Sequence, residues 1–570
     1  MAQLLPLADT EPAGDLRRRC VLNGQRLQDA PFRFEAMIRA STAREAPGDW
    51  VGRGLLGLTL LSQVLRVQPN SVEEIIAGLP GALNSRGYLG EILPTGCVDE
   101  NQVAGHNALL RGLAEYFLWK KDPRARAILG TTVQELMLPM APSLPQYPDR
   151  KLEKLADGVP IGLTVRNEGA WVGLSTDVGV VFFTLDGLTQ THSISPSPEL
   201  RGLIEAMIAR YAQLEIRAMS AQTHSTLSTL RGILRWWSDV DPRPDYLALV
   251  RERYALYQAV AETEHFANYN WFDRPQWTEA CAVVDSFLLA LELWRVTREP
   301  AYLTAAHRVY FNALSYAQRP NGGFGCDHCV GADGRVELAP HPEIFEAPWC
   351  CSMRGAEGLA VAARALAATD QEARRVAPLF YFEGDATLRF ADGTARVRCV
   401  SEYPSAGRVE WTVLESTLQE PVTWSCFVPP GVADEGMRLR QDGRDVGLVP
   451  DGAGFVGAAV SLRAGAHLEL QFPLNVRAEA PAAASRTEGH RRFACGPLVL
   501  GLEASAAATT GVLPSDLDFA AEGRARFRCR RTGVVLAPFN DVTYRSEAEA
   551  RAHRTRLLFP VSQPTLAPQE

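Results

Sequence analysis

The sequence predicts an α+β protein in which a ring or stack of helical hairpins is followed by an antiparallel β-sandwich. Three observations carry this. From about residue 30 to residue 368 apolar residues recur three and four apart; after about residue 376 the period drops to two; and acid-proline turns punctuate the helical part. With 570 residues, 46% of them hydrophobic, the chain has enough apolar material for two or three domains.

The helical runs are Leu55 to Val67, Val103 to Trp119, Leu200 to Leu214, Leu227 to Trp237, Tyr246 to Val260, Val283 to Val296, Tyr302 to Tyr316 and Met353 to Ala367. Between them stand Lys121-Asp122-Pro123, Val240-Asp241-Pro242 and Arg298-Glu299-Pro300. Each places a proline where the next helix can begin, because the first helical residue needs no N–H partner and proline has none to offer. Repeated helix-turn-helix pairs of this kind point to a ring or stack.

The strand pattern alternates apolar and polar residues in Ala386 to Phe390, Arg396 to Val400, Val409 to Val413 and His467 to Phe472, with Gly, Asp and Pro between. One buried and one wet face are implied. An Ala/Pro/Glu-rich stretch, Ala478 to Arg486, reads as a linker or long surface loop, and strand character resumes at Cys495 to Glu503 and Ala525 to Leu536. The expected division is a helical domain over residues 1–375, a sandwich over 376–485 and a β-rich C-terminal segment over 486–570 that completes or extends it.

Net charge is -8 and the arginines are scattered among acids, so no basic surface for nucleic acid or an anionic membrane is expected. The first ten residues lack a basic start followed by an apolar core, no apolar stretch is long enough to span a bilayer, and the eleven cysteines are odd in number and dispersed. The expectation is a soluble protein of a reducing, cytoplasmic compartment.

Two short segments bring metal-ligand chemistry. Pro348-Trp349-Cys350-Cys351 and Trp277-Thr278-Glu279-Ala280-Cys281 each stand just before an apolar helical run. Three sulfurs and one carboxylate make four ligands, the number a tetrahedral zinc takes. Helix starts carry partial positive charge and free N–H groups, which favour thiolates and carboxylates there. His106 and His224 occupy similar loop-to-helix positions, as ligand-facing groups or, more plainly, as hydrogen-bonded core histidines. Cys326 and Cys329, in Cys-x-x-Cys spacing, offer an alternative all-sulfur set with Cys350 and Cys351.

The order of these pieces resembles glycoside hydrolase family 127, the zinc-thiolate β-L-arabinofuranosidases. The resemblance runs thinly from about residue 90 to residue 505. Thr278-Glu279-Ala280-Cys281 is similar to that family's Thr-Glu-Thr-Cys segment, Cys350-Cys351 to its paired cysteines, and Ala104-Gly105-His106 to its Ala-Gly-His. Glu264-His265-Phe266 matches its Glu-x-Phe, and Arg492 to Val499 its Arg-Gly-Pro-Leu-Val strand.

What the resemblance implies is an (α/α)6 barrel followed by β-sandwich modules, and a retaining glycosidase. Zinc would be held by Glu279, Cys281, Cys350 and Cys351, with Cys350 as nucleophile and Glu264 as acid/base. His106 and His224 would contact the sugar of an oligosaccharide or glycoside, and Trp277, Trp349 and Tyr269 are candidate stacking surfaces.

There are departures. Ser352-Met353 stands where the family commonly has Pro-Pro, the Glu264-to-Glu279 spacing is a residue tight so that Glu262 competes for the acid role, and residues 151–197 have no counterpart. Two other readings share the architecture. A polysaccharide lyase would use a His or Tyr base and the arginines; a non-catalytic carbohydrate-binding scaffold would use the zinc structurally.

Overall fold

The computed structural model describes residues 2–43, 46–150, 164–175, 179–452, 454–503, 513–514, 519–523, 525–539 and 545–562. Six helices form an inner wall: α1 (Asp49–Leu65), α2 (Glu100–Lys120), α3 (Thr184–Ile194), α4 (Thr223–Asp239), α5 (Ala280–Thr297) and α6 (Cys351–Arg364). Each packs on the next and α6 returns to α1, which closes the ring. Outer helices alternate with them along the chain: Gly14–Arg26, Asn70–Ala82, Pro123–Thr132, Pro198–Ala212, Pro244–Val260 and Pro300–Arg308. Since every outer helix carries the chain back, the inner six run parallel. Their C-terminal halves share one cavity of about 630 Å³, to which Leu60, Glu115, Gln190, Arg235, Glu292 and Ala360 each contribute from a different helix. Their N-termini therefore gather at the other end. The (α/α)6 barrel is as expected.

Local chemistry accounts for the pieces. Asp122 caps its helix by accepting from Arg124 N, with Pro123 at the first helical position; Pro300 stands at the same position of its helix, where Glu299 makes no side-chain cap. After α4 it is Pro244 rather than Pro242 that begins the next helix. The run predicted from Tyr302 continues past Arg308 as a π-helix, Val309–Leu314. Gly52 lets α1 and α2 touch, since a Cβ there would lie 2.1 Å from Leu109 N.

One inner helix has no continuous apolar stripe. In α3, Thr184, Asp186, Thr189, Gln190 and Thr191 are buried alongside Leu185 and Leu188, so polar residues interrupt the apolar period. It falls within residues 151–197, where sequence reading found no counterpart; 151–163 and 176–178 lie outside the described residues.

The β part holds two sheets of six and seven strands and a third that is larger. Gly393–Ser401 pairs antiparallel with Gly384–Phe390 on one side and Arg408–Ser416 on the other, and the last of these pairs with His467–Gln471, Val409 opposite Leu470. The first strands of the chain, Gln3–Leu4 and Thr10–Pro12, pair with Ala368–Asp370 and Gly384–Phe390, so the N-terminal dozen residues join the sandwich rather than the barrel. Val476–Glu479 pairs with His490–Cys495, so the first two residues of the 478–486 stretch belong to the third sheet and the rest forms a loop. That sheet reaches the barrel through Thr555–Arg556 and Glu337–Leu338. Parts of residues 486–570 lie outside the described residues. No helix among those described is long and apolar enough to cross a membrane.

Candidate metal centre and active site

Glu279 is the N-cap of α5 with Cys281 one turn-step inside; Cys350 is the N-cap of α6 and Cys351 its first residue. Adjacent parallel helices bring these starts together, and the four ligand atoms all lie within 4.8 Å of one another. Cys350 Sγ is 3.4 Å from Cys351 Sγ, and Cys281 Sγ is 3.7 Å from Cys351 Sγ. Both separations are too long for a disulfide, at about 2.05 Å. They approach the edge of a tetrahedron with metal–sulfur bonds of about 2.3 Å, which is about 3.8 Å.

Electrostatics agrees with that geometry. Burial pushes the Cys281 thiol well above its ordinary range, and burial likewise raises the Glu279 carboxyl, with His224 and Arg53 pulling the other way. Four such donors do not ionise side by side unless a cation joins them. Three thiols and one carboxylate form a donor set that zinc accepts, so these residues fit that metal.

The surroundings hold the ligands in place. Asn268 Oδ1 accepts from Glu279 N at 3.0 Å while its Nδ2 donates to Thr223 Oγ1 at 2.9 Å, which ties the start of α5 to the start of α4. The Asn270 amide, with its nitrogen toward Glu279, donates to Glu279 Oε2 and accepts from Trp277 Nε1 at 3.0 Å. Arg53 Nη1 donates to Cys281 Sγ at 3.7 Å. None of Asn268, Asn270 or Arg53 stood out in the sequence, because each acts on a ligand distant in the chain or belongs to no motif.

The two histidines part ways. His224 Nδ1 donates to Asp285 Oδ2 at 2.7 Å, and its buried Nε2 has no hydrogen-bond partner among the described residues. Asp285 thus orients the ring, and Nε2 is left for a ligand. An acid among apolar residues near the start of α5 was the available signal for Asp285. His106 corrects the expectation of a sugar contact. It is fully buried, its Nδ1 donates to Gln102 O at 2.7 Å and its Nε2 accepts from Leu89 N at 3.0 Å, so neither nitrogen is left for a sugar. Burial lowers it to about 4, as suits a neutral structural histidine.

Glu264 is fully buried. Its carboxylate accepts from Ala482 N at 3.0 and 3.1 Å and from Arg492 Nη1 at 3.2 Å. Burial raises it, opposed by Arg492, Ser485 and Ala482. The 478–486 stretch is a surface loop that also reaches inward: Ala482 N donates to Glu264, and Ala484 O accepts from the Tyr269 hydroxyl at 3.2 Å. Glu262, two residues away, is partly exposed, and burial raises its carboxyl to about 7 against the pull of Arg492 and Arg308.

Tyr269 is buried, whereas Trp277 and Trp349 keep partial exposure. Trp277 meets Trp271 and His341 edge-on at 5.2 and 5.9 Å between ring centres. The all-sulfur alternative is not assembled. Cys329 Sγ turns to Asn268 O at 3.8 Å, while Cys326 approaches Cys351 from outside the four-ligand group.

No family model and no curated protein matches this sequence. Solved structures do. The class that the fold defines is an (α/α)6 barrel joined to β-sandwich modules, and the chain shares it with a GH127 β-arabinofuranosidase at 10% identity over 98% of both chains, TM-score 0.71. It is as similar to a structure described as a glycoside hydrolase, at 11% identity over 99% of this chain and 98% of that one, TM-score 0.71. The particular likeness extends to a GH127 beta-L-arabinofuranosidase from Geobacillus stearothermophilus T6, at 14% identity over 96% and 94% of the chains, TM-score 0.65. At these identities what is shared is the fold, from the first helices to the last sheet.

Proposed function

We propose that this chain is a retaining glycoside hydrolase that removes a terminal furanose sugar of the β-L-arabinofuranoside type from an oligosaccharide or glycoside. The observation that carries the reading is the convergence of Glu279, Cys281, Cys350 and Cys351 at the barrel mouth, in a fold shared over its length with GH127 structures. Zinc, held by those four residues, would keep the thiols ionised at neutral pH.

Burial supports one of the sulfurs as the nucleophile. Cys281 and Cys351 are fully buried while Cys350 is half-buried, which favours Cys350 as the one that meets a sugar. Its sulfur attacks the anomeric carbon as the leaving oxygen takes a proton from Glu264; water, deprotonated by the same carboxylate, then releases the sugar from Cys350. Arg492 and the Ala482 N–H hold the Glu264 carboxylate in one orientation for both steps. His224 Nε2, set by Asp285, bonds a sugar hydroxyl. Trp277 and Trp349, both partly exposed, would offer apolar faces to the sugar.

Glu262 is the alternative acid, favoured by a carboxyl held near 7, where a proton is still available at neutral pH. Glu264→Gln that spares substrates with good leaving groups but not natural glycosides assigns the acid to Glu264; equal loss on both moves it to Glu262. The reading as a whole is tested by metal analysis with a screen of nitrophenyl furanosides on wild type and Cys350→Ala. Full activity in that variant, or an unsaturated ultraviolet-absorbing product, overturns it.

A further inference from the structure

We infer that Arg53 makes the three sulfurs of the cluster unequal, fixing Cys281 as a permanent ligand and leaving Cys350 as the sulfur that reacts. The inference rests on the functional reading above. Arg53 lies on the inner wall in the second turn of α1, 7% exposed. Its Nε donates to Asp49 Oδ1 at 2.7 Å, one turn back, and its Nη1 donates to Cys281 Sγ at 3.7 Å. Asp49 thereby aims the guanidinium. Cys350 is in a different position: its sulfur touches Cys351 Sγ at 3.4 Å, and no N–H among the described residues donates to it.

Three thiolates and a carboxylate on a dication carry a net charge of two negatives, a costly sum in a buried site where water screens little. Arg53 sets a positive charge against the sulfurs, with its own counter-ion Asp49 on the far side of the guanidinium. The charge of Arg53 acts on both Cys281 and Cys350, but its hydrogen bond acts only on Cys281, the sulfur that accepts it. A thiolate that accepts such a bond gives up electron density and becomes the weaker nucleophile. Cys281 is quietened in this way and Cys350 is not. A planar fork with separated N–H groups can serve Asp49 and Cys281 together, whereas the single ammonium of a lysine supplies the charge without that geometry. Arg53 touches no reacting atom in this scheme and is a positioning residue.

The test uses the full chain loaded with cobalt(II), whose thiolate-to-metal absorption reports the electron richness of the sulfurs. Arg53→Gln, which can still bond to Asp49, should hold cobalt about 10- to 100-fold more weakly in competition with a chelator. Its charge-transfer band should move to lower energy, with Arg53→Lys falling between it and wild type. A purely structural role would lower the melting temperature and leave the band in place. Unchanged affinity and an unmoved band in Arg53→Gln overturn the inference while leaving the functional reading intact. A wild-type chain that takes up neither zinc nor cobalt removes both. If Arg53→Gln does not fold, Arg53→Lys decides, and a band identical to wild type overturns the assignment.

Discussion

Two regions of one barrel interior treat buried charge in opposite ways. Below the mouth, Arg111, Arg231 and Arg354 interleave with Asp186, Asp285 and Glu357. Arg111 Nη2 and Arg231 Nη2 share Glu357 Oε1 at 2.7 and 2.9 Å, Arg231 Nη1 reaches Asp285 at 2.5 Å, and Arg354 bonds both Asp285 and Glu357. Burial pushes the Asp186 and Asp285 carboxyls up, but the neighbouring arginines hold both well below the usual range. One turn away at the mouth, Cys281, Cys350, Cys351 and Glu279 converge with Arg53 beside them. Where charges are matched pair by pair, the cluster is structural. Where acids and thiols outnumber cations in the same wall, the cluster is one that could hold a metal ion.

Asp285 belongs to both regions, bonded to Arg231 on one side and His224 on the other, so substitutions can separate them. The largest effect is expected at the mouth: Cys350→Ala should lower kcat/KM by about 10⁴-fold or more, as loss of a covalent nucleophile does. Calorimetry should find the sandwich transition unmoved. Chelation should act likewise, with activity restored by zinc and far-ultraviolet circular dichroism unchanged.

Breaking the paired region should do the reverse. Glu357→Gln leaves buried guanidinium groups without their counter-ion and should cost roughly 3–5 kcal/mol in urea unfolding. Metal uptake should stay near wild type; a loss of metal with no loss of stability would erase the distinction drawn between the regions. Glu264→Gln should reduce turnover of unactivated glycosides by about 10²-fold or more, with nitrophenyl substrates affected less.

The smallest effect concerns Glu262. Its carboxyl is held at about 7 in the folded protein against an ordinary 4.5, so the folded state keeps a proton that the unfolded chain releases. The stability this contributes is full below about pH 4.5 and is lost as pH rises through 7. The melting temperature of Glu262→Gln relative to wild type should therefore rise between pH 5 and pH 8. A difference that falls over that range contradicts the raised carboxyl.

The ligands were legible because each pair is local: Glu279 and Cys281, then Cys350 and Cys351, sit a residue or less apart at helix starts. Long apolar runs such as α5 were legible for the same reason, since the helical period repeats within the segment. The helix α3 was not, because its inward residues bond to Arg111 and Arg235 rather than pack as an apolar stripe. His106 looked like a site residue from its motif, yet the loop carrying Leu89 folds onto it and takes its second nitrogen.

The sequence by itself determined the long apolar helices and alternating strands, and which side chains could hold a metal and in what order they come, since period and residue type are properties of short stretches. Tertiary structure alone decided that α5 and α6 lie side by side with their starts level, that Arg53 leans on Cys281, and that Ala482 closes over Glu264. Those partners are 228 and 218 residues apart in the chain. No local pattern records a contact made only when a ring closes and a second domain docks against it.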